Sequence, residues 1–470
     1  MKNPSSIAQT AAALLLIGAA VGGSTAHAET QSAPTGTRLM HRDINSSDSV
    51  PWAGPNMAGK INWSVPLGTC STTFQASDGM VLALCTKYVG TEQKQKNALG
   101  LDLGLDTVVP SVVLFDPETA QPLATLELQK TSLLGGVYGY LDEHDNVVIA
   151  EGTDVLHIGH RVEGGKWQLS VDKRMPLGLP SGTSLGGLAP DQAGRTWFVT
   201  KDSTIGLIDE GRVVTRPLAQ APGGETIANG LTGRPDGMSV LTSHSLNEVE
   251  YKNGKIELKW RRDYDRGSAR KPGQLSWGSG TTPTVFGPDG KWEAIVDNAD
   301  GSPNLIVVDA DTGEDVCVMP AFTTSGPGTE NSLIASGNSL FIPSTYGFTY
   351  PPRAVEGKAD PEFAPFTGGL ARIDVTPTES GAHCERKWEK PRKIETLPVL
   401  TEQDRTIWSL SSDPARLRVD LVGVSADTGE EVSRRQVGSL PADLPMQLTG
   451  MVTPDGAYWQ GTVTRMLRLK

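Results

Sequence analysis

One recurring pattern constrains this chain more than any other: a tight-turn signal followed by a short run of strand-forming residues. The signals are Asp78-Gly79, Asp145-Asn146, Asp191 to Gly194, Asp236-Gly237, Asp289-Gly290, Gly337-Asn338, Asp413-Pro414 and Asp455-Gly456. Most of these pairs tolerate positive φ and so close hairpins cheaply. The runs after them, such as Met80 to Leu84, Asn146 to Ile149, Arg195 to Val199, Ser339 to Ile342 and Ala457 to Trp459, are rich in β-branched and aromatic residues. From Asp145 to Asp191, Asp236 and Asp289 the intervals are 46, 45 and 53 residues, and two longer gaps precede Asp145 and follow Gly337. A second turn recurs one hairpin later, at Asp116 to Thr119, Asp311 to Glu314 and Asp427 to Glu430. No stretch of the mature chain sustains a helical period. Repeats of ~40–50 residues carrying four strands are the mark of a β-propeller.

The expected fold is therefore all-β: a single eight-bladed propeller over 59–470, each blade built of strands A to D from the axis outwards. The units read as 70–128, 136–175, 183–218, 225–262, 279–322, 330–390, 392–438 and 444–470. The last unit supplies only three strands, ending at Lys470. The segment Gly59 to Leu67 reads as its missing D strand, and that pairing would close the ring and remove two open sheet edges. Seven blades result if the unit at 392–438, whose punctuation is weaker, is misread. Two packed β-sandwiches are the rival architecture, disfavoured by the regular spacing and by the lack of a Pro/Gly/Ser linker.

The N-terminus reads as a secretory signal peptide over 1–28. Lys2 is the positive start, Ala11 to Ala20 the apolar run, and Ala26-His27-Ala28 the small-x-small cleavage site. The apolar run is much shorter than the ~20 residues of a bilayer span. Secretion or periplasmic location after cleavage near Ala28 is expected, with no membrane insertion. Residues 29–58 read as a flexible or loosely wrapped leader. The charge is −12, from 54 acidic and 42 basic residues. With no long Lys/Arg cluster, nucleic acid is not an expected partner, because its binding depends on cations that displace counterions from phosphates. A soluble monomer is expected.

An even number of cysteines in an exported chain points to disulfides. The expected pairs are Cys70–Cys85, linking neighbouring strands of one hairpin, and Cys317–Cys384, linking outer strands of adjacent blades. No CxxC, CxxCH or adjacent cysteine pair occurs, so zinc-ribbon, c-haem and redox-dithiol readings fail on spacing.

The Asp-Thr-Gly-Glu turns at 311–314 and 427–430, with the apolar strands before them at 304–309 and 420–425, resemble the repeats of the quinoprotein alcohol dehydrogenase-like (PQQ-repeat-like) propeller superfamily. The stretches Gly278 to Thr284, Asp297 to Asp300 and Gly328 to Leu333 resemble a group of uncharacterised secreted propellers of that type. The resemblance implies the fold. Family members that use pyrroloquinoline quinone (PQQ) carry adjacent cysteines against the cofactor, regular Trp docking motifs and a calcium site of Glu, Asn and Asp. Adjacent cysteines are absent here and the ten Trp do not recur at one repeat position, so PQQ is not expected.

Propeller geometry narrows the search for chemistry, since D-to-A connections and B-to-C loops share one face. Two long B–C insertions, Tyr88 to Pro110 and Tyr346 to Gly368, are expected to rise over one mouth. The second carries Tyr346, Phe348, Tyr350, Phe363 and Phe366. His244 and Glu330 are the candidate catalytic groups, His244 because its free pKa lies near neutrality. Tyr138, Asn229, Thr282, Asn298, Asn331 and Tyr346 are the candidate ligand contacts. Asp297, with Asn298, Asp300, Glu330 and Asn331, offers oxygen donors of the kind that hold calcium, although Asp and Asn at such positions more often close turns. His157 and His160 on one strand face opposite sides, which argues against a shared metal. No GxSxG, HExxH or P-loop pattern is present.

These readings converge on a secreted propeller that binds, and in one version turns over, a small organic molecule at the channel mouth. Two other classes remain. One is a non-catalytic cell-envelope scaffold that binds an envelope protein through the aromatic insertion, and the other is a PQQ-dependent oxidoreductase. A deep polar funnel favours the first reading and a flat aromatic patch the scaffold.

Overall fold

The computed structural model describes residues 36–66, 68–90, 105–129, 138–218, 221–227, 230–323, 328–378 and 381–470. Among them are eight sheets, seven of four strands and one of five. Seven sheets follow the chain in order, from the blade of Gly68–Gln75, Val81–Gly90, Leu105–Phe115 and Pro122–Glu127 to that of Val399–Thr401, Thr406–Asp413, Arg418–Ser425 and Glu431–Ser439. The eighth takes Met451–Val452, Tyr458–Gly461 and Met466–Leu469 from the C-terminus and Ile61–Ser64 from the N-terminus. Ile61–Ser64 runs antiparallel to Met466–Leu469, with Ile61 opposite Leu469. The expected eight-bladed ring, closed by an N-terminal strand, is the observed fold.

The hydrophobic core is itself a ring. Each of eight apolar clusters lies between two neighbouring blades. The one that closes the circle packs Val81, Ala83, Val113 and Phe115 of blade 1 against Met451, Trp459 and Met466 of blade 8. Inner strands are buried on both sides, as in Trp292–Val296 of blade 5, while the outer Asp315–Pro320 of the same blade keeps exposed positions. This explains why the B strands read as continuous apolar runs rather than alternating ones. Cys70 and Cys85 are bonded and directly opposed on adjacent strands. Cys317 and Cys384 are bonded between the outer strands of blades 5 and 6. Both expected pairs are present.

One turn assignment needs correction. Asp413-Pro414 joins strands B and C of blade 7, where Asp413 caps a 3-10 turn by accepting from Arg416 N–H. The A–B turn of that blade lies at 402–405, in a Glu-Gln-Asp-Arg stretch without Gly, Asn or Pro to mark it.

The larger correction concerns the leader. Residues 36–58 are not a loose tail: the segment enters the axis of the ring and lines it. Thr37 Oγ1 donates to Gln75 O at 3.3 Å and Arg38 pairs with Asp145 at 2.7 Å, both at the A–B face. The chain climbs to His41 and Arg42, turns, and descends as Ser49–Val50, parallel to Val399–Thr401. It leaves on the A–B face, where Gly54 N–H donates to Asp404 Oδ2 at 2.9 Å. The physical reason lies in the inner strands. Strand A of each blade turns one edge of unpaired N–H and C=O groups to the axis, and such edges seek a partner. Gly233, Val285, Ala335, Leu400 and Glu402 N–H donate to the carbonyls of Ile44, Asn45, Ser47, Asp48 and Val50 at 2.8–3.1 Å. One short polar segment thus satisfies the inner edges of four blades.

Candidate functional site

The apex of the leader brings the chemistry together. Asp43 Oδ1 accepts from Asn45 and Ser47 N–H at 2.9 and 3.0 Å, and Asp48 N–H donates to His41 O at 3.0 Å. Arg42, Ser46 and Asp48 are held at φ of 75°, 55° and 50°, a region that costs a non-glycine residue of order 1–3 kcal/mol where it is strained. This turn sets the His41 ring on the Asp48 carboxylate, with Nδ1 3.1 and 3.0 Å from its two oxygens. Ser332 Oγ, 3.2 Å from His41 Nδ1, donates to Asp48 Oδ2. On the far side of the ring, His41 Nε2 faces Thr282 Oγ1 at 3.4 Å. A carboxylate only accepts, so Nδ1 carries the proton and Nε2 presents a lone pair to the threonine hydroxyl. All four side chains are buried.

A small cleft of about 40 Å³ lies beside this group, lined by Leu39, Met40, His41, Tyr138, Gly230 and Leu231 among others. Gly230 matters because it has no side chain. A Cβ there would come 2.8 Å from Thr282 Oγ1 and 3.4 Å from Tyr138 Cε1.

Glu330, on the connection into blade 6, sits on the same face. Its Oε2 accepts from Leu275 N–H at 3.0 Å, and burial pushes its carboxyl up to about 8. Burial, reinforced by the Glu330 charge, raises the Tyr138 and Tyr350 hydroxyls above their ordinary value, and the buried Tyr350 hydroxyl has no hydrogen-bond partner among the described residues. The Glu330 charge therefore links this carboxyl electrostatically to the Tyr138 and Tyr350 hydroxyls.

A cover lies over this face. The B–C insertion of blade 6 is knitted to the connection between blades 4 and 5. Gly347 N–H donates to Pro272 O at 3.0 Å, Glu356 N–H to Leu275 O at 2.7 Å, and Asp360 N–H to Arg270 O at 2.9 Å. Lys201 of blade 3 reaches Glu356 at 3.2 Å. Phe348 packs edge-on against both Tyr350 and Phe366, with ring centroids 5.0 and 5.5 Å apart, whereas Phe363 is 75% exposed. The first insertion springs from the same face, from the long strands Val81–Gly90 and Leu105–Phe115, but its centre at 91–104 lies outside the described residues.

The residues singled out from the sequence divide. Thr282, Tyr138 and Glu330 line or adjoin the channel site. Tyr346 is half-buried at the root of the cover, and its Cδ2 would lie 3.8 Å from a Cβ on Gly328. Asn331 is buried, with Nδ2 donating to Gln447 Oε1 at 2.9 Å and Oδ1 without a partner among the described residues. Asn229 lies outside the described residues.

His244 stands apart from this group. Its Nε2 is 2.9 Å from Arg266 Nη1 and its Nδ1 2.9 Å from Ser243 Oγ, and burial and the Arg266 charge lower its pKa. A guanidinium occupies the lone pair that a general base would use, so pairing His244 with Glu330 as catalysts has no support in the geometry. Asn298 is a loop staple, donating to Arg266 O and Ala269 O at 2.8 and 3.0 Å. Asp297 accepts from Asn304 N–H, Asn304 Nδ2 and Ala299 N–H at 2.6, 2.9 and 3.1 Å. That is turn chemistry, and no grouping of three or more His, Cys, Asp or Glu among the described residues is placed to hold a metal. His157 and His160 bond to Asp142 and Asp78 separately. His41 and Asp48 were missed, because only the closed ring brings them to Thr282.

The four cysteines form two non-vicinal disulfides, and leader residues fill the axis.

No protein-family model matches the chain, and no curated protein matches it. Solved structures do. Quinohemoprotein alcohol dehydrogenase from Comamonas testosteroni matches at 11% identity and a TM-score of 0.58, over 94% of this chain and 81% of that one. BamB from Moraxella catarrhalis matches at 12% identity and a TM-score of 0.40, over 84% and 97%. Hydrazine synthase from Kuenenia stuttgartiensis matches at 12% identity and a TM-score of 0.42, over 73% and 97%. The first shares the fold, and none at this identity transfers a function.

Proposed function

We propose that this chain is an exported propeller that binds a small organic molecule in its channel, beside the leader apex. The observations that carry the reading are a cleft lined by the leader and Tyr138, and a Glu330 charge that acts on both Tyr138 and Tyr350, whose hydroxyl has no partner among the described residues. Buried polar groups are ordinarily satisfied, and a few convergent polar groups in a mostly apolar concavity are the usual make-up of a ligand site. Export rests on the signal-like N-terminus. It is compatible with the two disulfides, and no helix among the described residues is long and apolar enough to cross a membrane.

The scaffold reading is weaker, because most aromatic side chains of the blade 6 insertion pack against one another rather than outwards. Native mass spectrometry of protein purified from its own host tests the binding reading. A retained small molecule, lost in Glu330→Gln and Tyr350→Phe variants that melt near the parent temperature, supports it. Protein that carries no retained molecule, or the same molecule in both variants, refutes it.

A further inference from the structure

We propose that Thr282, His41 and Asp48 form a nucleophile, base and orienting acid that hydrolyses a small carboxylic ester with a short apolar acyl group. The inference rests on the reading that the channel cleft binds a small organic molecule, and it assigns that molecule a chemical class.

Three independent features carry it. The first is geometric. A hydroxyl faces the free nitrogen of an imidazole whose other nitrogen is held by a carboxylate, which is the arrangement an activated nucleophile needs. The Thr282–His41 separation of 3.4 Å is somewhat long, as such contacts often are without substrate.

The second is access. Thr282 Oγ1 lies next to Gly230, a residue of the cleft wall with no side chain to stand between the hydroxyl and the cleft. The cleft in front of Gly230 is lined by Leu39, Met40, Ile44 and Leu231, which suits an aliphatic acyl group. Tyr138 flanks the same glycine and brings a hydroxyl that burial keeps protonated, a donor for charge developing on the carbonyl oxygen.

The third is backbone strain. Three non-glycine residues within 42–48 hold left-handed conformations around the pair. Strain of this kind persists where the surroundings over-determine a geometry.

The step balances without a cofactor. Thr282 Oγ bonds to the ester carbonyl carbon while its proton passes to His41 Nε2. The carbon–oxygen bond to the leaving alcohol then breaks, and the alcohol takes that proton. Water repeats the sequence on the acyl-threonine, releasing the acid and restoring the hydroxyl. Asp48 is a positioning residue throughout, fixing the tautomer of His41.

The test uses p-nitrophenyl acetate on the mature full chain, with rapid quenching, intact mass measurement and peptide mapping. The expected result is an acetyl group on Thr282, with p-nitrophenolate release at least ~100-fold slower in His41→Gln and retained in Thr282→Ser. Asp48→Asn should lower kcat with little change in KM, and free imidazole should restore release to His41→Gly. Should the His41 variants fail to fold, Thr282→Val, close in shape, must still abolish release. Acetyl absent from Thr282, or release undiminished in Thr282→Val or His41→Gln, overturns the relay. If the natural molecule is nonetheless retained in native mass spectrometry, the binding reading survives that loss.

Discussion

Trp63 Nε1 donates to Val437 O at 2.8 Å, so the N-terminal strand that completes blade 8 is also tied to the outer strand of blade 7. The ring is thus closed by the ladder between Ile61–Ser64 and Met466–Leu469 and, to the neighbouring blade, by this bond together with those from Arg435 to Met57 O and Gly59 O at 2.6 Å.

Trp63→Phe isolates the indole's share of that tie. It keeps the strand and most of the ring but removes the donor. A single hydrogen bond is worth ~0.5–1.5 kcal/mol, and the indole is 44% exposed, so a loss of about that size is expected in urea unfolding. A loss several times larger would mean that the strand itself detaches.

The bond between Cys317 and Cys384 spans 67 residues and joins blades 5 and 6 at their rims. Cross-links of this kind typically stabilise by ~2–4 kcal/mol, chiefly through the unfolded chain. Cys317→Ser with Cys384→Ser should lower the urea midpoint accordingly and leave the β circular dichroism signal unchanged.

Glu293 gives a pH prediction. It is wholly buried in strand B of blade 5, neither carboxyl oxygen has a partner among the described residues, and Glu248 lies close by, paired with Arg234 at 2.8 Å. Burial, and next the Glu248 charge, push Glu293 up to about 8 from an ordinary 4.5. The native state therefore holds a proton that the unfolded chain has released between those two values, and stability falls as pH rises through that window. Glu293→Gln cannot lose the proton. Its stability relative to the parent should rise between pH 5 and pH 8, and a constant difference in urea unfolding at the two pH values would contradict the assignment.

Much of this architecture is legible in the chain because propeller blades are local. Each is built from consecutive hairpins whose turns need Asp, Asn and Gly, and whose inner strands need unbroken apolar runs. Asp145-Asn146, Asp236-Gly237 and Asp311 to Glu314 fall where their chemistry places them. Blade 7 misleads because its A–B turn carries a lone Asp404 with no Gly, Asn or Pro beside it, and Asp413-Pro414 signals a different loop.

The site is less legible for the opposite reason. Thr282 and Glu330 can be found because strand starts line the mouth. His41 and Asp48 lie in a polar stretch with no period, and their partners are some 240 to 290 residues away in sequence. What orders that stretch is the set of unpaired amides on the inner strands, which exist only once the ring has closed. His244 was chosen for its intrinsic pKa, and the Arg266 guanidinium that disqualifies it is a matter of packing.

Everything said of the channel depends on the leader lying inside it, and amide hydrogen exchange in the full chain reads this residue by residue. The account predicts slow exchange at Val285, Ala335 and Leu400, whose N–H groups donate to leader carbonyls at 2.8–3.0 Å. Fast exchange at those three amides, with the neighbouring inner strands still protected, would place the leader outside the ring and remove His41 and Asp48 from the site.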